Sequence, residues 1–430
     1  MSTPRAPAQS TRRQLLRAAA AAAPLAALAS RLFANWAATT QARPRHVLLH
    51  GGWQWVHIGD IAQAPGGLRL LEQHLPDARV TLWLAHTTEA ITAMLRNHFP
   101  KVRIVEGTID RATLAVKGEE LKQALSEADL CIHGSSSAVT TPELLAWCQA
   151  NKKPFGLFGV TLGVIDEKII SLLSNATFLF TRESHSLATL KRAGVKGPAL
   201  GLAPDSAFAL DLRDDMSAVP FLNMAGLEEG KFVCCIPRLR YTPFRRLKPD
   251  EIRLRSEMNQ KFADPDHAKM RQAIAAIVRR TGMRVLVCPE MSYQLEIMDR
   301  LLLEPLPDDV RGQVVKRATF WLPDEAASVY ARAAAVLSFE AHSPIIALAN
   351  GVPAVYLHQP TEIRKEQMLR DIGLGEWTYE IDDVSGERIG QRMLEVLGDP
   401  AAAKAKVRKA KAAVAERHKV AFDVIGGVAG

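Results

Sequence analysis

From Arg45 to about Leu210 the sequence alternates short runs of strand-forming residues with longer stretches of helical periodicity. HVLLHG precedes GGLRLLEQHL, ARVTLWLA precedes TEAITAMLRNHF, and VRIVEG precedes a helix at about 118–127. ADLCIHG precedes PELLAWCQAN, PFGLFGV precedes DEKIISLLSNA, and TFLFTRES leads into HSLATLKRAG. A strand that returns through a helix pairs with its predecessor in parallel, and near-continuous apolar strands are those covered on both faces. The pattern therefore predicts an α/β fold built from β-α-β units, with a doubly wound, Rossmann-like sheet.

The rhythm breaks once. DLRDDMSAVPFLNMAGLEEG carries charges, Pro220 and Gly226, and reads as a domain boundary. Alternation then resumes with KFVCCIPRL, a long helical region at about 250–281, MRVLVCPE, VVKRATFWLP, AVLSFEA, SPIIALANG and PAVYLHQ. A chain of 430 residues exceeds one ordinary core. The expected organisation is a first Rossmann-like domain over 45–215, an interdomain linker at 216–230, a second Rossmann-like domain over 231–399, and a tail at 400–430. The tail, rich in alanine and lysine, reads as an exposed helix. Ligands of such sheets bind beyond the carboxyl ends of the strands, so the site is expected in a cleft between two facing domains.

The first residues stand apart. STRRQLLRAAAAAAPLAALA has a twin arginine, an uncharged run from Ala18 to Ser30 and a small-residue exit at Ala27-Leu28-Ala29. It reads as a twin-arginine-type signal over 1–29, with a linker at 30–44. The expected partner is the twin-arginine translocase and the expected location the periplasm or cell envelope. The run is 13 residues long, short of the ~20 that span a bilayer, so no permanent membrane span is expected. Arg5, Arg12, Arg13 and Arg17 supply half of the net charge of +8; the remainder, spread over the rest of the chain, makes no nucleic-acid-binding face. The five cysteines lack zinc-site spacing and read as buried thiols, with room for one bridge on export.

The strand ends carry the candidate chemistry. After the first strand, HGGWQWVHIGD offers glycines for close approach and Asp60 as a helix cap; it reads equally as a turn or a binding loop. HGSSSAVTTPE, with His133 and Ser135, offers hydroxyls before a helix, either for an anion or as a simple cap. Arg182 and Glu183 form a pair that would tie their turn, and Asp205 follows a proline, where turn-making explains it. Arg238 and Arg240, two apart in an extended segment, point the same way and suit a carboxylate or phosphate. In SFEAHSPIIALANG, Ser343 and Pro344 read as N-cap and first residue of a helix ending at Gly351. His342 then stands at the positive pole of a helix dipole, on the same face as Glu340, and the pair suits a general acid or base near neutrality. Gln359, Arg364 and Lys365 follow the next strand and add cations beside the histidine.

Taken in order, HGGWQWVHIGD, FTRESHSLATLKRAGV with PDSAF, and EAHSPIIALANGVPAVYL leading into RKEQMLRDIGL resemble the polysaccharide pyruvyl transferase family over about residues 45–375. The resemblance implies two Rossmann-like domains arranged as in GT-B glycosyltransferases, with phosphoenolpyruvate as co-substrate and a sugar diol of a cell-envelope or exported polysaccharide as acceptor. It implies neither a bound cofactor nor a metal. His342 would be the acid/base and Glu340 would orient it. Arg182, Arg238, Arg240 and Lys365 would hold the donor's anionic groups and Asp60 an acceptor hydroxyl. His133, Ser135 and Gln359 complete the expected lining. The sequence departs from the family at Glu340, where arginine is common, and in its export signal, because phosphoenolpyruvate is cytosolic. Two alternatives accommodate this: an exported hydrolase that removes pyruvate ketals, and a non-catalytic glycan-binding relative.

Overall fold

The computed structural model describes residues 45–243, 247–362 and 364–429; the signal at 1–29 and the linker at 30–44 lie outside the described residues. Strands β1 (His46–His50), β2 (Arg79–Leu84) and β3 (Arg103–Glu106) open the first sheet, and a short antiparallel pair, β4 (Thr108–Ile109) and β5 (Val116–Lys117), stands outside it. With β6 (Leu130–His133), β7 (Phe155–Val160), β8 (Phe178–Thr181) and β9 (Ala199–Leu202), the sheet runs in the order β3-β2-β1-β6-β7-β8-β9, parallel throughout. The second sheet comprises β10 (Phe232–Ile236), β11 (Arg284–Val287), β12 (Val314–Lys316), β13 (Ala335–Ser338), β14 (Ala354–His358) and β15 (Thr378–Glu380). Its order, β12-β11-β10-β13-β14-β15, repeats the same winding, again all parallel. Both central strands, HVLLH and FVCCI, are buried along their whole length, as helices on both faces require.

Three helices differ from the sequence reading, and each difference bears on the site. The first begins at Ile58 rather than Gly66 and runs to His74. Pro65 lies inside it and forfeits one backbone bond, which the burial of Ile58, Ile61 and Ala62 offsets. His57, not Asp60, caps it: Nδ1 of His57 accepts from the Asp60 amide at 3.0 Å. The segment read as a loose linker contains a helix, Asp215–Met224, capped by Asp214 and fastened to the second domain where the Asp214 amide donates to Ser328 Oγ at 2.9 Å. The tail is a helix over Pro400–Ala429, but it is not merely a solvated one. Ala403, Val407, Ala410, Val414, His418, Ala421 and Ile425 form a buried stripe. This helix returns to the first domain, where Nε2 of His418 bonds the Pro204 carbonyl at 2.8 Å and Arg45 donates to the Val428 carbonyl.

The two domains touch across the cleft. The Ile58 amide donates to the Glu290 carbonyl at 2.9 Å, the Ser292 amide to the Val56 carbonyl at 3.0 Å, and Ser184 Oγ to Asp371 at 2.8 Å. All five cysteines are buried and free. Among the described residues no helix is long and apolar enough to cross a membrane.

Candidate active site

In both sheets the winding reverses direction beside the central strand, between β1 and β6 and between β10 and β13. The crevice at such a reversal is where open α/β sheets bind ligands. In the first domain it is a hollow lined by Gly51, Gly52, Trp53, Gln63, Ser135 and Ser206. In the second it lies between the segments after β10, with Arg238, and after β13, with Glu340 and His342.

His342 is the first residue of its helix, His342–Ala349, two residues ahead of the sequence expectation. Ser343 is therefore not the N-cap. Its amide and hydroxyl instead donate to Oε2 of Glu290, at 2.5 and 2.7 Å, so a carboxylate from beyond β11 sits on the helix's positive end. The His342 ring is held from both domains. Its Nδ1 lies 3.5 Å from Oε1 of Glu290 and its Nε2 lies 3.7 Å from Oδ2 of Asp205, a residue of the first domain. Burial disfavours the imidazolium, yet Asp205 and Glu290 together outweigh it and raise the ring to about 9. Burial alone would raise both carboxyls too; His342 and the neighbouring cations hold them below the usual carboxylate range.

Glu340 does not orient the histidine. Among the described residues no hydrogen bond or ion pair joins the two side chains. Oε2 of Glu340 meets Nε of Arg238 at 3.1 Å, and its Oε1 accepts from Gln294 at 2.8 Å. Burial, opposed by Arg238 and reinforced by Glu290 and Glu362, raises this carboxyl to about 8.

The expected donor-binding cations are gathered near the site, but each already faces a carboxylate. Arg238 also lies 3.4 Å from Glu362 and donates to Gln359 Oε1 at 2.8 Å, while Lys365 pairs with Glu362 at 3.0 Å. Gln359 is fully buried and returns a bond to the Arg238 carbonyl, so it clamps this arginine rather than facing a ligand. Arg240 parts company with Arg238: it forks onto Asp266 with two 2.8 Å bonds, pairs with Asp382 and stacks on Phe262. Arg182 pairs with Asp205 at 2.7 Å, not with Glu183, which caps the helix Ser184–Arg192. The Nη2 of Arg182 is buried with no hydrogen-bond partner among the described residues.

Asp60 is partly exposed in the first turn of its helix, 3.8 Å from His57 Nδ1, at the edge of the His342 cluster. His133 is buried away from it. Its ring bonds the Gly134 carbonyl at 3.0 Å and meets Thr140 at 3.2 Å, and burial lowers it to about 4, so it fastens its own loop. Ser135 accepts from the Ser206 amide at 2.9 Å and lines the first-domain hollow.

Sequence reasoning missed four side chains. Glu290 and Asp205 follow β11 and β9 as His342 follows β13, so the strand-end rule that points to His342 covers them; for Asp205 the preceding proline makes turn-making the simpler account, and Glu290 is only the final residue of MRVLVCPE. Gln63 and His57 precede the helix that the sequence predicts from Gly66, whereas the helix begins at Ile58 with His57 as its cap. Gln63 Nε2 donates to Asp205 Oδ2 at 2.9 Å and lies 3.2 Å from His342 Nε2. His57 Nε2 stands 3.3 Å from Glu290 Oε1, and its ring meets the His342 ring edge-on at 5.3 Å.

Ligand atoms of His57, Glu290 and Glu340, and likewise of His57, Asp60 and His342, lie within 4.8 Å of one another. The hydrogen bonds argue against a metal reading. Because His57 Nδ1 accepts the Asp60 amide, the neutral ring carries its proton on Nε2 and turns a donor, not a lone pair, toward Glu290.

Close packing at this site depends on Gly59. A Cβ there would stand 2.3 Å from both Cβ and Cγ of His342. Gly59→Ala is expected to push the imidazole aside and lower turnover about 100-fold, the scale of a 1 Å misplacement, although alanine favours a helix. Steady-state kinetics of the purified variant, with its melting temperature as control, checks this.

The model of the polysaccharide pyruvyl transferase family matches residues 57–358, which includes His342, Glu290, Asp205, Arg238 and Arg182. The chain belongs to this family. No curated protein matches it in sequence. Among solved structures, this pyruvyl transferase family member is similar to a putative UDP-N-acetylglucosamine 2-epimerase from Listeria monocytogenes, with a TM-score of 0.56 and 12% identity over 89% of this chain and 94% of that one. It is also similar to Medicago truncatula UGT71G1 complexed with UDP-glucose, with a TM-score of 0.54 and 11% identity over 90% and 99% of the two chains. Likeness at that identity is one of fold, and the fold is the two-domain GT-B arrangement. Family and fold together make the protein a transferase of the polysaccharide-modifying kind.

Proposed function

We propose that this family member transfers a pyruvyl group from phosphoenolpyruvate to a sugar diol, forming a ketal, and that His342 moves the protons. The observation that carries the reading is an imidazole at a helix N-terminus, held between carboxylates from two domains. Ketal formation requires a proton at the enol methylene, removal of a proton from each attacking hydroxyl, and departure of phosphate. A ring raised to about 9 holds its proton at neutral pH and is ready to give it. Asp60, at the open edge of the cluster, is placed to receive an acceptor hydroxyl. The twin-arginine-type leader read from the sequence suits an acceptor in the cell envelope but parts the protein from cytosolic phosphoenolpyruvate, which favours the hydrolytic reading below.

Glu340 need not exclude an anionic donor. With its carboxyl raised to about 8, it is largely protonated at pH 7, so of the two carboxyl groups beside Arg238 only Glu362, which is shared with Lys365, carries a charge. The sign follows directly: as pH rises through 8, Glu340 ionises and competes with the donor for Arg238. The wild-type KM for phosphoenolpyruvate is therefore expected to rise about tenfold across that range, the worth of one charge-assisted hydrogen bond, while Glu340→Gln stays flat. A parallel rise in the variant would show that Glu340 is not the competing group.

Each of Arg182, Arg238, Arg240 and Lys365 already faces an ionised carboxylate, which favours a second reading, removal of pyruvate ketals by water. One experiment separates the two. The protein is incubated with phosphoenolpyruvate and envelope glycans while phosphate is followed, and separately with pyruvylated glycan while free pyruvate is followed. Glycan-dependent phosphate release supports transfer; pyruvate release without phosphoenolpyruvate replaces it with hydrolysis.

A further inference from the structure

Asp205 and Gln63 compete for one ring nitrogen. The Nε2 of His342 faces the Asp205 carboxylate at 3.7 Å and the Gln63 carboxamide nitrogen at 3.2 Å. These two partners want opposite states of the ring. A carboxylate accepts from a protonated Nε2, whereas an amide N–H donates only to a bare one. The amide cannot serve both states by turning over. Its nitrogen also donates to Asp205 Oδ2 at 2.9 Å, so a flip would set oxygen against oxygen, and that carboxylate is already fixed by Arg182 at 2.7 Å. As placed, the amide oxygen of Gln63 is buried without a hydrogen-bond partner among the described residues, so the contacts this side chain makes with Asp205 and His342 run through its nitrogen alone.

We infer that Gln63 is a positioning residue that stabilises the deprotonated form of His342, countering the carboxylates that stabilise its protonated form. The inference rests on the acid/base reading of His342 and deepens it. When Nε2 gives its proton to the substrate carbon, the vacated lone pair is taken by the Gln63 N–H. The remaining ring proton stays on Nδ1, facing Glu290. When a hydroxyl proton returns to Nε2, the amide yields and Asp205 becomes the partner again. Without such a counterweight, two carboxylates would hold the proton on the ring and slow its release.

The other charged or titratable groups around the ring are fixed by the fold. Glu290 faces Nδ1, His57 meets the ring edge-on and Asp60 lies beyond His57, while Arg182 acts through Asp205 and Lys365 stands outside Glu362. None of them offers Nε2 a second donor.

The test reads the ring itself, without substrate, so it stands apart from the identity of the donor. In the full-length protein with 15N-labelled histidine, the wild-type ring above its titration midpoint is expected to be protonated on Nδ1 and bare on Nε2. In Gln63→Met the midpoint is expected to rise by about one pH unit, the worth of one neutral hydrogen bond, with the alkaline limb of the pH–rate profile moving alongside. Gln63→Asn, which keeps the amide on a shorter arm, should recover part of that shift. A neutral wild-type ring protonated on Nε2 overturns the inference, as does an unmoved midpoint in a folded Gln63→Met. Should that variant not fold, the wild-type tautomer alone decides. If the ring behaves as expected but neither phosphate nor pyruvate is released from any glycan, the proposed reaction fails and the role of Gln63 on His342 remains.

Discussion

His342→Gln is expected to lower turnover by about 10²–10⁴-fold, the usual contribution of a positioned proton-transfer group. Glutamine keeps a polar side chain against Asp205 and Glu290 but moves no proton near neutral pH. Its stability signature has a definite sign. The folded ring is raised to about 9 above an unfolded value near 6.5, so its stabilisation is fully present below pH 6.5 and is lost as pH rises through 9. The variant's stability deficit, on the order of 3 kcal/mol at pH 6, should therefore shrink to nothing above about pH 9.5. Denaturant melts at those two pH values read the difference. An equal deficit at both would assign it to lost packing.

Arg182→Met is expected to destabilise the protein by about 3–5 kcal/mol, because it takes the nearer of two cations from a fully buried carboxylate and leaves only the His342 ring, at 3.7 Å, to balance it. Thr161, whose hydroxyl accepts from Arg182 Nε at 2.7 Å, loses a partner as well. Asp205 has a folded pKa below its unfolded value, so its favourable interactions act above about pH 4 and fade as pH falls through the folded value. The penalty in Arg182→Met should accordingly be largest at neutral pH and shrink in acid. Adding Asp205→Asn should restore most of the loss, since it removes the orphaned charge. A double variant no more stable than Arg182→Met would mean that the guanidinium acts through packing instead.

Much of this fold is legible in the sequence because its strands are buried on both faces. Runs such as HVLLH and FVCCI carry no competing polar pattern, and the helices between them leave parallel pairing as the one economical arrangement. Strand order then places the chemistry, and that is how His342 and Arg238 are found. Partners are harder. Arg182 prefers Asp205 to its neighbour Glu183, and Arg238 takes Glu340 from His342, because side chains after different strands converge in space without any signature in spacing. Gln63 and His57 escape for a local reason: the helical pattern GGLRLLEQHL reads from Gly66, just after Pro65, whereas tertiary packing carries the helix back through that proline to Ile58. The turn before Asp205 is an honest turn by its residues, and only the surrounding domain makes it part of a site.

The last helix of the chain reaches back to grip Pro204, the residue immediately before Asp205. The acidic loop of the first domain is therefore braced by a helix that follows the entire second domain in sequence. However early its strands assemble, the amino-terminal half lacks the His418 brace on Pro204 until the whole second domain has been made.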